Sequence, residues 1–308
     1  MIGFILRRVL AAIPVLWIVI TVTFGLMHAA PGGPWNALNS RKLLDPALEA
    51  AFNHQYGLDK PLYVQYLNYL GNVIHFNFGT SFEQQGTGAA ALIMQGFPYS
   101  AAIGIVAFIF AVAAGVPLGI RAAVKQNSWI DHTSLFGATA GYAIPSFVIG
   151  IFLLVIFGVD LGWVSILWNG SWTNYVLPSI VLGLGPAAFM ARLTRATMLE
   201  EMHHEYVRTA RAKGLRGTVV IVRHVVRNAM IPVVTVMGPT IAALVTGTII
   251  IEEVFNVPGM GHLYITSIDA RDYPVIMATT LLYAFFIILG NMLVDITYGL
   301  IDPRIKTT

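Results

Sequence analysis

Three sets of residues have the type and spacing to do chemistry or grip a partner. The first is a basic run in which Arg208, Arg211, Lys213 and Arg216 fall close together. On a solvated helix such fixed cations would meet anionic headgroups. The second is Glu252-Glu253. Two adjacent acids cannot share one helical face, so one is expected to pair inside and the other to meet solvent or an outside protein. The third is Asn291, Asp295, Tyr298 and Asp302, which recur at i, i+4, i+7 and i+11 and make one polar stripe. A carboxylate at that depth needs a base, and Arg304, Lys306, Arg192 and Arg195 are the candidates. A structural ion pair is preferred there over a proton relay.

Other chemistries lack their parts. His204-Glu205-Tyr206-Val207-Arg208 is a near miss of H-E-x-x-H, with Arg where the second zinc ligand belongs. No metal site is expected, and His203 and His204 read as solvated helix residues. No G-x-x-x-x-G-K-[ST] segment is present to cradle phosphates. Cys is 0, which removes thiolate ligands and thiol nucleophiles. An intramembrane serine protease needs a Ser/His pair on facing helices. The last two apolar windows contain no His.

The elements that position these residues follow from composition. Apolar residues are 56% of the 308 and charged residues 11%, against about 25% in an ordinary soluble domain. The mean hydropathy is +0.72. The expected class is an all-α membrane protein. A spanning helix needs about 20 mostly apolar residues, and six windows qualify. They run near Val9–Ala30, Tyr99–Ile120, Thr133–Phe157, Tyr175–Ala191, Ala229–Ile251 and Val275–Leu300. The first is too long for a signal-peptide core and is read as a retained helix. With the N-terminus inside, 14 of the 18 Lys and Arg lie in inner segments, and only Arg41, Lys42, Lys60 and Arg271 lie outside. The positive-inside rule therefore places both termini in the cytoplasm.

Four parts are expected. Residues 1–30 hold the tail and first span, 31–98 an outer segment, 99–301 a five-helix core and 302–308 a tail. Two amphipathic stretches lie in the outer segment, near 46–56 and 62–74. A later outer loop, 158–174, carries Trp163, Trp168 and Trp172 and no Lys or Arg. It either lies on the membrane interface or packs on itself. Helix breakers such as Pro117, Pro145, Pro186, Pro232 and Pro239 interrupt the spans, which suits packed helices or a cavity lining. The longest cytoplasmic loop, 192–228, carries 8 Arg and Lys against three Glu, a net +5. Its stretch Glu200–Gly214 reads as one short helix, acidic at the start, basic at the end, stopped by Gly214 and Gly217. Met202, Tyr206 and Ala210 form a narrow apolar stripe suited to a groove on another protein. The alternative is a solvated helix whose arginines meet headgroups.

The segment Ala191–Val234 resembles the cytoplasmic loop of binding-protein-dependent ABC importer permeases, and more narrowly the B-type subunits of peptide permeases. APGGP (Ala30–Pro34), YGLDKPLYVQYLNYL (Tyr56–Leu70), FGTSF (Phe78–Phe82), IIEEVFNVPGMG (Ile250–Gly261), RDYP (Arg271–Pro274) and VDITYGLIDPRIK (Val294–Lys306) are similar to the family's other patterns. APGGP and WNGSW (Trp168–Trp172) lean toward the oligopeptide branch. Arg208 stands where the general importer pattern has Glu, and Gly33 where relatives often carry Asp.

The resemblance implies a type I ABC importer permease fold in a prokaryotic plasma (inner) membrane. The chain would be a non-catalytic subunit. It would pair with a second homologous permease, two ATPase subunits and an extracytoplasmic peptide-binding protein, and it would pass peptide, with no nucleic-acid partner. ATP and Mg would be bound by the ATPases, with no cofactor in this chain. Tyr206, Val207, Arg208, Thr209, Ala210, Arg211, Ala212, Lys213 and Gly214 would couple to an ATPase. Dipeptide, nickel or another small solute is the alternative within the family, and a stand-alone ion-coupled carrier is the alternative outside it.

Overall fold

A computed structural model of the chain describes residues 2–31, 33–34 and 46–301. Its elements in order are α1 Ile2–Ala29, α2 Pro46–Tyr56, α3 Leu62–Ile74, α4 Ala89–Val124, α5 Trp129–Ala143 and α6 Ser146–Leu154. There follow α7 Thr173–Met202, α8 Glu205–Ala212, α9 Gly217–Val245, α10 Ile249–Val254, α11 Met260–Asp269 and α12 Tyr273–Ile301. Among the described residues, α1, α4, α7, α9 and α12 are long and apolar enough to cross a membrane. The pair α5–α6, bent by 96°, passes the same test only when its two helices are taken together, and it is either one broken span or a re-entrant loop. The class is all-helical and multi-pass, as the apolar windows required.

The core is built on α4 against α7 and α9. The buried face of α4 is Ser100, Ile103, Gly104, Ala107, Ala111, Gly115, Gly119 and Ala122, a run of small residues at helical spacing. A Cβ added at Gly115 or Gly119 would lie 2.5 Å from the carbonyl oxygens of Ala187 and Ala191. At Gly104 it would collide with that of Leu244. Lipid tails are as apolar as leucine, so close packing of small residues is what holds such helices together. Toward the outer side Ile103, Val181, Leu244, Ile251 and Phe255 fill the core, and α1 lies at the periphery against α12.

Three of the differences from the apolar windows have a plain physical cause. The third window is two helices, because Pro145 forces Ile144 out of helical geometry, to φ −85, ψ 125. The fifth ends at Val245, where Gly247 turns the chain at φ +82, so Glu252 and Glu253 lie on the separate helix α10. The second starts ten residues early, at Ala89. Its first turns are helical because Ala89, Leu92 and Ile93 pack on Met260, Val275 and Ala278. In the outer loop Trp168 packs edge-on against Tyr99 and Tyr175, whereas Trp163 and Trp172 are exposed.

Candidate functional site

The inner face is organised by the hairpin from the end of α7 through α8 to α9. The single helix expected over Glu200–Gly214 is instead two. α7 continues to Met202, and the backbone breaks at His203-His204, where His204 is extended at ψ 149. His203 Nδ1 lies 2.6 Å from the Leu199 carbonyl, which gives the frayed end of α7 a partner.

The break lets α8 fold back on its own chain. Val207 is fully buried and Ala210 nearly so, packed with Met198, Val220, Val225 and Ala229. The start of α9, Val220–Val226, is a π-helical turn. Residues five apart align in such a turn, which sets Val220 and Val225 on the same side. Tyr206 adds a polar tie. Its hydroxyl donates to the Glu201 carboxylate and accepts from Asn228 Nδ2 at 3.0 Å. Burial and the Glu201 contact push its phenol above the ordinary tyrosine value. The expected stripe Met202–Tyr206–Ala210 is therefore occupied inside this chain: Ala210 faces the core, Met202 borders it and Tyr206 is tied down.

What α8 presents outward is Arg208, Thr209, Arg211, Ala212, Lys213 and Gly214, followed by Leu215 and Arg216. The helix ends in a Schellman arrangement. Gly214 N donates to Arg211 O at 3.0 Å and Leu215 N to Ala210 O at 3.4 Å. Gly214 has φ +77, which a side chain adopts only under strain. The exposed surface is a short cationic helix on an apolar foot.

A clamp behind this hairpin was not legible in the sequence. Arg195 of α7 meets Asp131 of α5 through two hydrogen bonds, 2.5 Å from Nε and 2.8 Å from a terminal nitrogen. Asp131 is 1% exposed and also accepts from Asn127 N at 3.0 Å. Arg195 is thus engaged, which removes one of the bases considered for the polar stripe of α12. On that stripe Asn291 is exposed, and the side chains of Asp295 and Tyr298 lie outside those described. Asp302, Arg304 and Lys306 lie outside the described residues.

The outer face holds a second polar cluster. Glu252 on α10 is 2% exposed. It accepts from Ser100 Oγ at 2.7 Å, Gly261 N at 2.7 Å and His262 N at 3.3 Å. Ser100 Oγ in turn accepts from Met260 N at 2.8 Å. Glu252 thus caps the N-terminus of α11 and ties it to α4. Burial lifts its carboxyl above the ordinary range, against the pull of those donors. Glu253 points away and meets His262 Nδ1 at 2.8 Å in an exposed pair. Among the described residues no three His, Asp or Glu converge to hold a metal ion.

Residues 115–307 match the family described as binding-protein-dependent transport system inner membrane component, and residues 1–106 match the N-terminal family of such membrane components. The chain is 39% identical over 306 residues to the dipeptide transport system permease protein DppB of Bacillus subtilis, covering 98% of this chain and 97% of that one. It is 40% identical over 310 residues to the glutathione transport system permease protein GsiC of Escherichia coli K12, covering 99% of each. A distant likeness to a chain of the methionine ABC transporter MetNI has a TM-score of 0.43 at 17% identity, over 67% of this chain and 95% of that one. The motifs, the apolar spanning helices and the full-length relatives agree: this chain belongs to the family of binding-protein-dependent transport system inner membrane components, the multi-pass permease subunits of ABC importers.

Proposed function

We propose that this chain forms half of the membrane pathway of an ATP-driven peptide importer and takes its driving force from an ATPase docked on α8. It is the non-catalytic subunit of that assembly. A second, similar permease completes the pathway, two ATPase subunits bind ATP and Mg, and an outer binding protein delivers the peptide. The observation that carries this reading is the cationic end of α8, Arg208 to Arg216, held on a buried foot of Val207 and Ala210. A handle that couples two states must be stiff, because it transmits only the difference in how ATP binds each state. The π turn and the Tyr206–Glu201–Asn228 contacts supply that stiffness.

For substrate, the two relatives are by name permeases for a dipeptide and for glutathione, itself a tripeptide. A cargo of two or three residues is therefore supported as well as the longer oligopeptide suggested by APGGP and WNGSW. The test is Gly214→Val in the reconstituted importer, with peptide uptake and ATP hydrolysis measured together. A β-branched residue at φ +77 distorts the end of α8 while leaving its foot in place. Uptake is expected to fall while basal hydrolysis persists and loses its response to peptide-loaded binding protein. Uptake and stimulation equal to wild type refute the role given to α8.

A further inference from the structure

The outer helix α3 has three faces, and the chain accounts for two of them. Tyr66, Tyr69, Leu70 and Val73 pack on Ile20 and Met27 of α1 and on Ile276, Met277 and Leu281 of α12. Gln65, Asn68 and Asn72 line a cavity of about 360 Å³ shared with His28, His54 and Lys60. The third face is Leu62, Tyr63, Leu67 and Ile74, with Phe76 just past the helix, and these are 55%, 67%, 61%, 75% and 83% exposed. A water-facing surface rarely presents five large apolar side chains together without a partner. The helix carries no Asp, Glu, Lys or Arg.

Its depth says what that partner is. The Tyr66 hydroxyl lies 2.6 Å from Thr21 Oγ1, and its ring meets that of Phe24 with centroids 5.3 Å apart. Thr21 stands about 12 Å inside the outer end of α1, at 1.5 Å per residue. A hydrocarbon core of about 30 Å laid on α1 from Val9 reaches about His28. Tyr66 is therefore level with the acyl chains of the outer leaflet. The neighbouring stretch of α1 is itself apolar and exposed at Ile18, Val22 and Leu26, so the uncovered face of α3 continues a surface that meets lipid.

We infer that α3 is an interfacial helix seated in the outer leaflet, with Leu62, Tyr63, Leu67, Ile74 and Phe76 in lipid and Gln65, Asn68 and Asn72 turned to the cavity. An apolar face set against a polar strip of Gln65, Asn68 and Asn72 is the amphipathic pattern of a helix lying in the interface. The first outer segment is then held to the bilayer through α3 and does not stand off it as a separate soluble body.

The absence of native cysteine allows a direct test. Single nitroxide labels are placed at Leu67→Cys, Ile74→Cys, Asn68→Cys and Lys60→Cys, with Ile18→Cys on α1 as the lipid reference. The full-length chain is purified with the subunits it carries and reconstituted in lipid nanodiscs. Collisional relaxation by oxygen and by a water-soluble nickel chelate is then compared. Positions 67 and 74 are expected to favour oxygen several-fold, as position 18 does, while 68 and 60 favour the chelate. Labels at 67 and 74 that favour the chelate place the face in water and overturn the inference. Labels there that are shielded from both reagents show protein cover and also overturn it. All five sites are on the surface, so folding of the variants is not at stake.

Discussion

The inner hairpin and the outer α10–α11 turn are held by opposite means. At the inner face the charges are outside and the anchor is apolar: Arg208, Arg211, Lys213 and Arg216 are exposed, while Val207 and Ala210 are buried. At the outer face the charge is inside. Glu252 is enclosed, and Ser100 and the backbone N–H groups of Gly261 and His262 hold it. Burial is non-directional, so the inner foot can stay seated while its exposed cations vary to suit a partner. Hydrogen bonds to a buried group are directional and costly to leave unmade, so the outer turn tolerates little. The two adjacent acids repeat the lesson on a smaller scale, since one fastens the fold and its neighbour meets solvent.

The largest effect that would break this contrast is expected at Val207→Asp. An uncompensated carboxylate in that pocket costs about 3–5 kcal/mol. Thermal stability of the solubilised protein and its accumulation in membranes should both collapse, whereas Arg208→Gln, one residue away, leaves both unchanged. A stable Val207→Asp protein would mean that α8 is not anchored by its foot.

Glu252→Ala comes next. It strips the Gly261 and His262 N–H groups of their acceptor and Ser100 Oγ of its own, at about 1–3 kcal/mol for each group left unpaired. The titration of Glu252 sharpens the point. Its folded carboxyl lies above the ordinary range because of burial, so the folded state holds the proton more tightly than the unfolded chain. The stabilisation from that group is complete below the ordinary carboxylate value and is lost as pH rises through the raised folded value. Wild type should lose thermal stability on that climb, and Glu252→Gln should flatten the slope. Identical slopes would argue against a buried, titrating carboxyl.

The smallest effect is expected at Glu253→Gln, which removes an exposed partner of His262 and should shift stability by less than about 0.5 kcal/mol. A loss as large as that of Glu252→Ala would erase the distinction between the two acids.

Much of this was legible in one dimension. Six apolar windows and the asymmetry of Lys and Arg are sums over many residues, and single exceptions do not disturb them. Gly214 was readable as a helix stop because a positive φ is a local demand. The bend at Ile144-Pro145 was equally local, yet window averaging hides it. The Asp131–Arg195 clamp was not readable at all. Asp131 looks like an ordinary first-turn acid, and its partner lies 64 positions along the chain.

The boundary between the two kinds of knowledge follows range. Composition and periodicity determined that this chain crosses the membrane several times and where its cations gather along the sequence, because transfer into lipid is nearly additive residue by residue. Only the packed structure decided that Val207 and not Tyr206 is the foot of α8, that Glu252 is enclosed while Glu253 is free of the core, and that Tyr66 of α3 meets Thr21 of α1. Those outcomes depend on which distant backbone approaches, and no local pattern encodes a neighbour that arrives from another helix.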